Sequence, residues 1–316
     1  MAWLRVNKPG MLTTVQDRGR WGLQSRGVPV AGPMDPCSHR LANALAGNGA
    51  HAATLEVTLV GPELEFDDER VVAVAGAEFE LTVDGDAVPG GAAFVVAAGS
   101  RLRFGRRSRG ARAYVAIAGG VAVPMIFGSR ATHLISGMGG IGGRALKAGD
   151  ELPLGDPIRP RPTSRAPSPP TILTLPDGHA TIRVLPGPQQ EYFPRGVLDA
   201  LQSAPYRLAT TSDRMGFRLE GPALTHTRSA DIISDATPLG VLQVPASGQP
   251  ILLMADRQTT GGYPKIATAI SADISLAGQL GPGDMISFVV CSPLEAIAAL
   301  IAQERALMAV EASAGS

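Results

Sequence analysis

The chain is short of the residues that usually announce a mechanism. Only two cysteines, Cys37 and Cys291, occur among 316 residues, far apart and outside any Cys-X-X-Cys or Cys/His grouping. Neither a disulfide framework nor a structural zinc site is therefore encoded. Both cysteines are expected to be small buried residues. The five histidines, at 39, 51, 133, 179 and 226, show no metal-ligand spacing. His-Glu-X-X-His, the Gly-X-Ser-X-Gly elbow and the Walker loop are missing, and no Gly-X-Gly-X-X-Gly follows a strand. Histidine-based catalysis is not indicated. An excess of either charge is missing too: 28 Lys and Arg stand against 28 Asp and Glu, so no global field recruits nucleic acid. Basic runs such as RFGRRSRG read as hairpin edges. Finally, the opening MAWLRVNKPG holds no signal-peptide core, and no stretch reaches the roughly 20 apolar residues needed to cross a bilayer. A cytoplasmic protein without a membrane partner is expected.

What the chain has in quantity is glycine, 38 residues, and proline, 26. They punctuate short Val/Ile/Leu runs such as LEVTLVGPELEF, RVVAVAGAEFELTVDG, ARAYVAIAGG, IRVLPG, QPILLMA and DMISFVV, each of strand length. A mainly β protein follows. Helix signals are few: Asp35 with Pro36 starts one over CSHRLANALAGN, Ser292 with Pro293 starts a closing one over LEAIAALIAQERALMAVEA, and YFPRGVLDALQSA suggests a weaker third. The length suggests two domains. The stretch GDPIRPRPTSRAPSPP holds six prolines and no apolar run, which predicts an N-terminal lobe over 1–157, a linker over 158–170 and a C-terminal lobe over 171–316. A Gly-polar turn feeding an alternating strand recurs in AAGSRLRF, LKAGDELPL and LGPGDMISF, which suggests two related lobes.

Four stretches carry polar chemistry. QDRGRWG sets Gln16, Asp17, Arg18 and Arg20 around glycines that permit a tight turn, and Asp35 follows at the mouth of a helix. TSDRMGFRLEGP repeats an Asp-Arg pair at Asp213 and Arg214. ADRQTTGGYPKIA, after the apolar strand PILLMA, is a dense polar loop whose backbone N–H groups suit an anion, with Tyr263 and Lys265 close behind. FGSRATHLISGMGGIGGRALKAGD presents Ser129 and Arg130 before a glycine run that reads as a flexible flap. Each could equally be a braced turn. These loops suit a carboxylate-bearing or urea-like substrate.

Taken together, TTVQDRGRWG, GVPVAGPMD, ANALAGN, ATLEVTLVGPELEF, GSRATHL, GGRALKAGD, VLPGPQ, SDRMGFRLEGP, LQVPASGQPILLMADRQTTGGYPKIA and LGPGDMISF resemble the biotin-dependent carboxyltransferase family from about Leu4 to Val290. That family includes the C-type component of bacterial 5-oxoprolinase, KipA, allophanate hydrolase subunit 2 and half of the carboxyltransferase domain of urea carboxylase. The resemblance implies two tandem cyclophilin-like β-barrels. It also implies an ATP-dependent opening of 5-oxoproline to glutamate beside B-type (KipI-like) and A-type 5-oxoprolinase partners, a homo-oligomer being left open. Two alternatives are carboxyl transfer from carboxybiotin to urea or another amide, and regulation through binding of a KipI-like protein. Carried over position by position, the resemblance implies catalytic roles for Asp17, Arg20, Asp256 and Lys265. It implies substrate contacts for Gln16, Asp35, Asn43, Glu56, Arg130, Arg214, Asp235, Gln243, Thr260 and Tyr263. The chain departs from the family at SDATPLG, which alters the loop beside Asp235. Neither a biotinyl Ala-Met-Lys-Met segment nor an ATP-grasp region occurs, so a complete carboxylase is not expected.

Overall fold

A computed structural model of the chain describes residues 2–157 and 172–314. The chain divides into two compact units, one of Met1–Arg20, Ala31–Leu175 and Glu304–Ser316, the other of Trp21–Val30 and Pro176–Gln303. The proline-rich linker expected at 158–170 lies outside the described residues.

The first unit runs β1 (Trp3–Lys8), β2 (Leu12–Gln16), α1 (Pro36–Leu45), β3 (Thr54–Thr58), β4 (Glu63–Phe66), β5 (Arg70–Val83), β6 (Asp86–Val88), β7 (Ala93–Val96), β8 (Arg101–Ile117) and β9 (Glu151–Pro153). Its nine strands form one sheet in the order β2-β3-β8-β4-β1-β9, and β5 joins along β8 and carries β6 and β7. Strand β8 is the hub. Its first residues pair with β4, its last with β3, and β5 follows it across three irregular steps between Gly76 and Leu81. Leu4, Val6, Leu55, Val57, Leu64, Phe66, Leu102, Val115 and Ile117 alternate into a buried core, as period-2 patterning requires. Helix α1 lays Ala42, Leu45 and Ala46 on Ala73, Ala75, Tyr114 and Ala116, the alanines permitting close approach. The helix starts where the Asp35 carboxylate accepts the Ser38 amide at 2.9 Å, an N-cap followed by proline.

The second unit runs β10 (His179–Pro186), α2 (Val197–Gln202), β11 (Tyr206–Leu208), β12 (Gly216–Glu220), β13 (Asp235–Ala236), β14 (Val241–Gln243), β15 (Ile251–Leu253), β16 (Thr260–Gly261), β17 (Lys265–Ala269), α3 (Ser271–Gly278) and β18 (Met285–Val290). Seven of these strands close a barrel in the order β10-β17-β14-β15-β12-β11-β18. The β10–β18 pairing is parallel, from His179 opposite Met285 to Val184 opposite Val290, and the remaining barrel pairs are antiparallel. Ile182, Val184, Tyr206, Phe217, Leu242, Leu252, Ile266 and Ile286 are buried. Strands β13 and β16 form a separate two-stranded ribbon. The mainly β expectation, with few helices, holds.

The last helix, α4 (Pro293–Ala314), begins with a reciprocal cap. Ser292 offers its amide to Glu295 Oε2 at 2.7 Å, and its hydroxyl accepts the Glu295 amide at 3.3 Å, the capping-box arrangement. Among the described residues no helix is long and apolar enough to cross a membrane. Cys37 is buried as expected, but Cys291 is only half-buried, because it sits one residue past the end of β18.

Candidate functional site

In the first unit the polar residues of QDRGRWG turn inward. Asp17 is 6% exposed and accepts the Gly19 amide at 2.9 Å, the Ser129 hydroxyl at 2.5 Å and the Arg130 amide at 2.6 Å. Arg20, 1% exposed, donates its Nε to the Ile126 carbonyl at 3.1 Å and its Nη2 to the Ala131 carbonyl. Both side chains therefore fasten segment 126–131. Gln16 Nε2 donates to the Thr14 hydroxyl and the Thr132 carbonyl, each at 3.0 Å. Arg130 donates Nε to the Val123 carbonyl at 2.8 Å and stays half-buried.

A second buried network begins at Glu56, whose Oε2 accepts the Met34 amide at 2.8 Å and the Tyr114 hydroxyl at 2.7 Å. The Tyr114 oxygen in turn accepts the Asp35 amide at 2.8 Å. Burial, reinforced by the nearby Glu56 and Asp35 carboxylates, holds the Tyr114 hydroxyl well above its ordinary pKa. His39 feels both networks. Burial draws its imidazole down to about 4, against the opposing pull of Asp17 and Glu56. Asn43 binds the Ala52 carbonyl at 2.9 Å and accepts Asn48 Nδ2 at 3.1 Å, which ties down the loop after α1.

The glycine run behind segment 126–131 is a series of tight turns instead of the flap expected from composition. Its amides are used internally, Gly140 on the Arg130 carbonyl at 2.9 Å and Gly143 on the Gly139 carbonyl at 2.7 Å. At Gly143, φ is +66° and a Cβ would stand 1.8 Å from the Gly137 carbonyl carbon, so glycine is required there.

In the second unit the two polar stretches meet. Arg214 holds Asp256 through two parallel bonds, Nε to Oδ2 at 3.0 Å and Nη2 to Oδ1 at 2.9 Å, with side chains 4% and 2% exposed. This bidentate geometry is the strongest arginine–carboxylate arrangement. The Asp256 amide adds a bond to the Arg214 carbonyl at 2.8 Å. Lys265, also buried, pairs with Asp235 and donates to the Ala236 carbonyl at 2.9 Å. Asp235 itself is 55% exposed, and Lys265 holds its carboxyl below the usual range. The departure SDATPLG forms β13, so Asp235 lies opposite Gly261 of the polar loop.

Gln243 accepts Gln258 Nε2 at 3.2 Å and reaches the Tyr263 carbonyl at 3.4 Å. Gly261 makes this closeness possible, since a Cβ there would lie 2.6 Å from Gln243 Nε2 and 3.0 Å from Thr237 Cγ2. Thr260 and Tyr263 present their side chains at the surface. Arg257 is buried, 7% exposed, and donates Nε to the Thr237 carbonyl at 2.9 Å, with a weak contact from Nη1 to the Met254 carbonyl at 3.5 Å. Burial alone draws its guanidinium down to about 10.

The expected residues thus gather into two clusters, one per unit, in which buried groups hold loops and a minority reach solvent. Asp235, Thr260 and Tyr263 are the accessible members of the second cluster, and Arg130 is half-accessible in the first. Sequence reasoning passed over Tyr114, His39 and Thr237, and gave Arg257 no role of its own. Arg257 and its neighbour Gln258 lay inside the polar loop already singled out. Tyr114 had no local signal, because its place opposite Glu56 is a matter of β3–β8 register.

A nine-stranded sheet and a closed barrel, with polar loops braced by buried ion pairs, correspond to a known class. Residues 26–290 match the carboxyltransferase domain, subdomain A and B, and the chain belongs to that family. It is 42% identical over 302 residues to the C-type subunit of 5-oxoprolinase from Escherichia coli (strain K12), covering 96% of both chains. It is 38% identical over 284 residues to the C-type subunit of 5-oxoprolinase from Haemophilus influenzae, covering 90% of this chain and 89% of that one. The structure of the K. lactis urea amidolyase superposes with a TM-score of 0.91 at 32% identity, over 98% of this chain but 20% of that much longer one. The two bacterial relatives are named as subunits, which implies further subunits beside them.

Proposed function

We propose that the chain is the C-type subunit of an ATP-dependent 5-oxoprolinase, opening 5-oxo-L-proline to L-glutamate with A-type and B-type (KipI-like) partners in the cytoplasm. The observation that carries this reading is 42% identity across 96% of both chains to a C-type 5-oxoprolinase subunit. The net change adds water across the lactam C–N bond, and the hydrolysis of ATP drives it. The polar surface of the second unit suits that substrate. The half-exposed Asp235 carboxylate can accept the lactam N–H, Tyr263 and Thr260 supply exposed hydroxyls on the polar loop paired with it, and Lys265 fixes Asp235 and keeps it ionised. Arg214 and Asp256, saturated by each other, position the loop that carries these groups. In the first unit, Asp17 and Arg20 position segment 126–131, from which Arg130 extends, while Gln16, Asp35, Asn43 and Glu56 shape the support behind it.

The glycine run does not fit a nucleotide. The amides of Gly137, Met138, Gly140 and Gly143 are bonded to the carbonyls of Leu134, His133, Arg130 and Gly139, unlike the open N–H cradle of a phosphate loop. In this reading ATP belongs to a partner, and the chain alone should be inactive. The test is reconstitution from purified components. Glutamate should form from 5-oxoproline and ATP only when this chain and its A-type and B-type partners are mixed. Activity of this chain alone would refute the dependence on partners, and full activity of a mixture lacking it would refute the assignment. The likeness to urea amidolyase favours a second reading, carboxyl transfer from carboxybiotin to urea or another amide. That reading predicts transfer from carboxybiotin and no ATP-dependent glutamate in the same mixture.

A further inference from the structure

The cations around the polar loop of the second unit are unequally matched. Arg214 is neutralised by Asp256 and Lys265 by Asp235. Arg257 has no carboxylate partner among the described residues, and its Nη2 makes no hydrogen bond among them. It is nevertheless almost wholly buried. Its Nε and the Lys265 ammonium bond to the carbonyls of consecutive residues, Thr237 and Ala236, so both cations are tied to the same short segment, and the Asp235 carboxylate at its start is committed to Lys265. The local balance is one positive charge in excess. A buried charge without a counterion is costly, and an anionic ligand would supply the missing charge. By contrast, Arg70, 4% exposed, also donates to two carbonyls but has the Asp68 carboxylate on its Nε at 2.8 Å.

We propose that Arg257 is the anion-binding group of this site and that it holds the carboxylate of a small substrate beside the Lys265–Asp235 pair. The identity of that substrate rests on the 5-oxoprolinase reading, because the carboxylate is the one permanent charge of 5-oxoproline. The planar guanidinium suits a carboxylate through the N–H groups of Nη2, the nitrogen left without a hydrogen bond among the described residues. Asp235, a short step along the ribbon, is left to meet the neutral lactam end.

Titration calorimetry on the full chain, at ionic strength held constant with chloride, tests the assignment. 5-Oxo-L-proline should bind at least tenfold more tightly than its primary amide, which lacks the charge. Arg257→Met should erase that preference, and Arg257→Lys should keep part of it. Acetate provides an arm that does not depend on the 5-oxoprolinase reading. It should raise the melting temperature of the wild-type chain and not that of Arg257→Met, whatever the reconstituted complex does with 5-oxoproline. Without ligand, Arg257→Met should melt no lower than wild type, since an uncompensated buried charge has been removed, whereas a purely structural brace predicts a lower melting temperature. Should the methionine variant fail to fold, the lysine variant carries the test through its retained preference for the acid. Equal binding of acid and amide by the wild type overturns the inference, as does an acetate effect undiminished in Arg257→Met. Arg257-dependent binding of inorganic phosphate in place of the acid overturns the carboxylate assignment.

Discussion

Asp256→Ala gives the sharpest separation between bracing and chemistry in the second unit. The carboxylate is 2% exposed and accepts two bonds from Arg214, at 3.0 and 2.9 Å, while the Arg214 side chain is 4% exposed. Deleting one partner of such a pair strands the other's charge in a medium that solvates it poorly, at a cost of about 3–5 kcal/mol. At roughly 2–4 °C per kcal/mol for a body of 150–250 residues, the melting temperature should fall by about 6–20 °C. Removing both charges together, as in Arg214→Met with Asp256→Ala, leaves no stranded ion. The double variant should recover most of the loss, with a coupling energy of about 2–3 kcal/mol. Urea denaturation of the four proteins of the cycle measures this directly. Turnover in the reconstituted complex, measured below the melting transition, should then fall only as far as the loop loses its place, and the double variant should recover part of it. A different outcome would refute the reasoning. If Asp256→Ala lost less than about 1 kcal/mol of stability and turnover fell a hundredfold without rescue in the double variant, Asp256 would act on substrate directly.

Three further outcomes are expected. His39 is neutral in the native state with a pKa of about 4 against 6.5 for the free side chain. The unfolded chain therefore takes up the proton first as pH falls, and about 3 kcal/mol of stability should drain away between pH 6.5 and 4; urea midpoints at pH 7.5 and 5 should show it, His39→Gln should flatten the slope above the carboxylate range, and a wild-type profile flat from 7.5 to 5 would contradict it. Lys265→Met removes a buried ammonium whose partner Asp235 is 55% exposed and can rehydrate, so the stability change should stay near 1 kcal/mol while turnover falls by about a hundredfold; unchanged turnover would remove the pair from the site. Gly119→Ala places a Cβ 2.1 Å from the Gly155 carbonyl oxygen at a φ of +91°, and a loss of about 3 kcal/mol or more, read by thermal melting, is expected.

How far the sequence reaches depends on the range of the interaction it has to encode. The caps of α1 and α4 were legible because Asp35 with Ser38, and Ser292 with Glu295, lie three residues apart. The recurring Gly-polar turns were legible for the same reason. In Ala97–Ser100, Lys147–Asp150 and Gly281–Asp284 the fourth amide bonds to the first carbonyl, at 3.1, 3.2 and 3.1 Å, and the third residue is a glycine at a φ of +78°, +86° or +93°, as a type II turn demands. Helix α3 was not legible: its N-cap, Ile270, offers no side-chain bond, and burial of Ala272, Ile274 and Ala277 by the barrel makes it a helix through tertiary packing instead of local preference. The polar motifs were found for their density, yet their electrical state depends on partners far along the chain, Asp256 on Arg214 and Lys265 on Asp235. Arg257 shows what that difference means for function. In the sequence it is one polar residue among several after a strand, equal in promise to its neighbours. In the fold the neighbouring charges are spent on each other, and Arg257 becomes the position where a ligand's charge is still required.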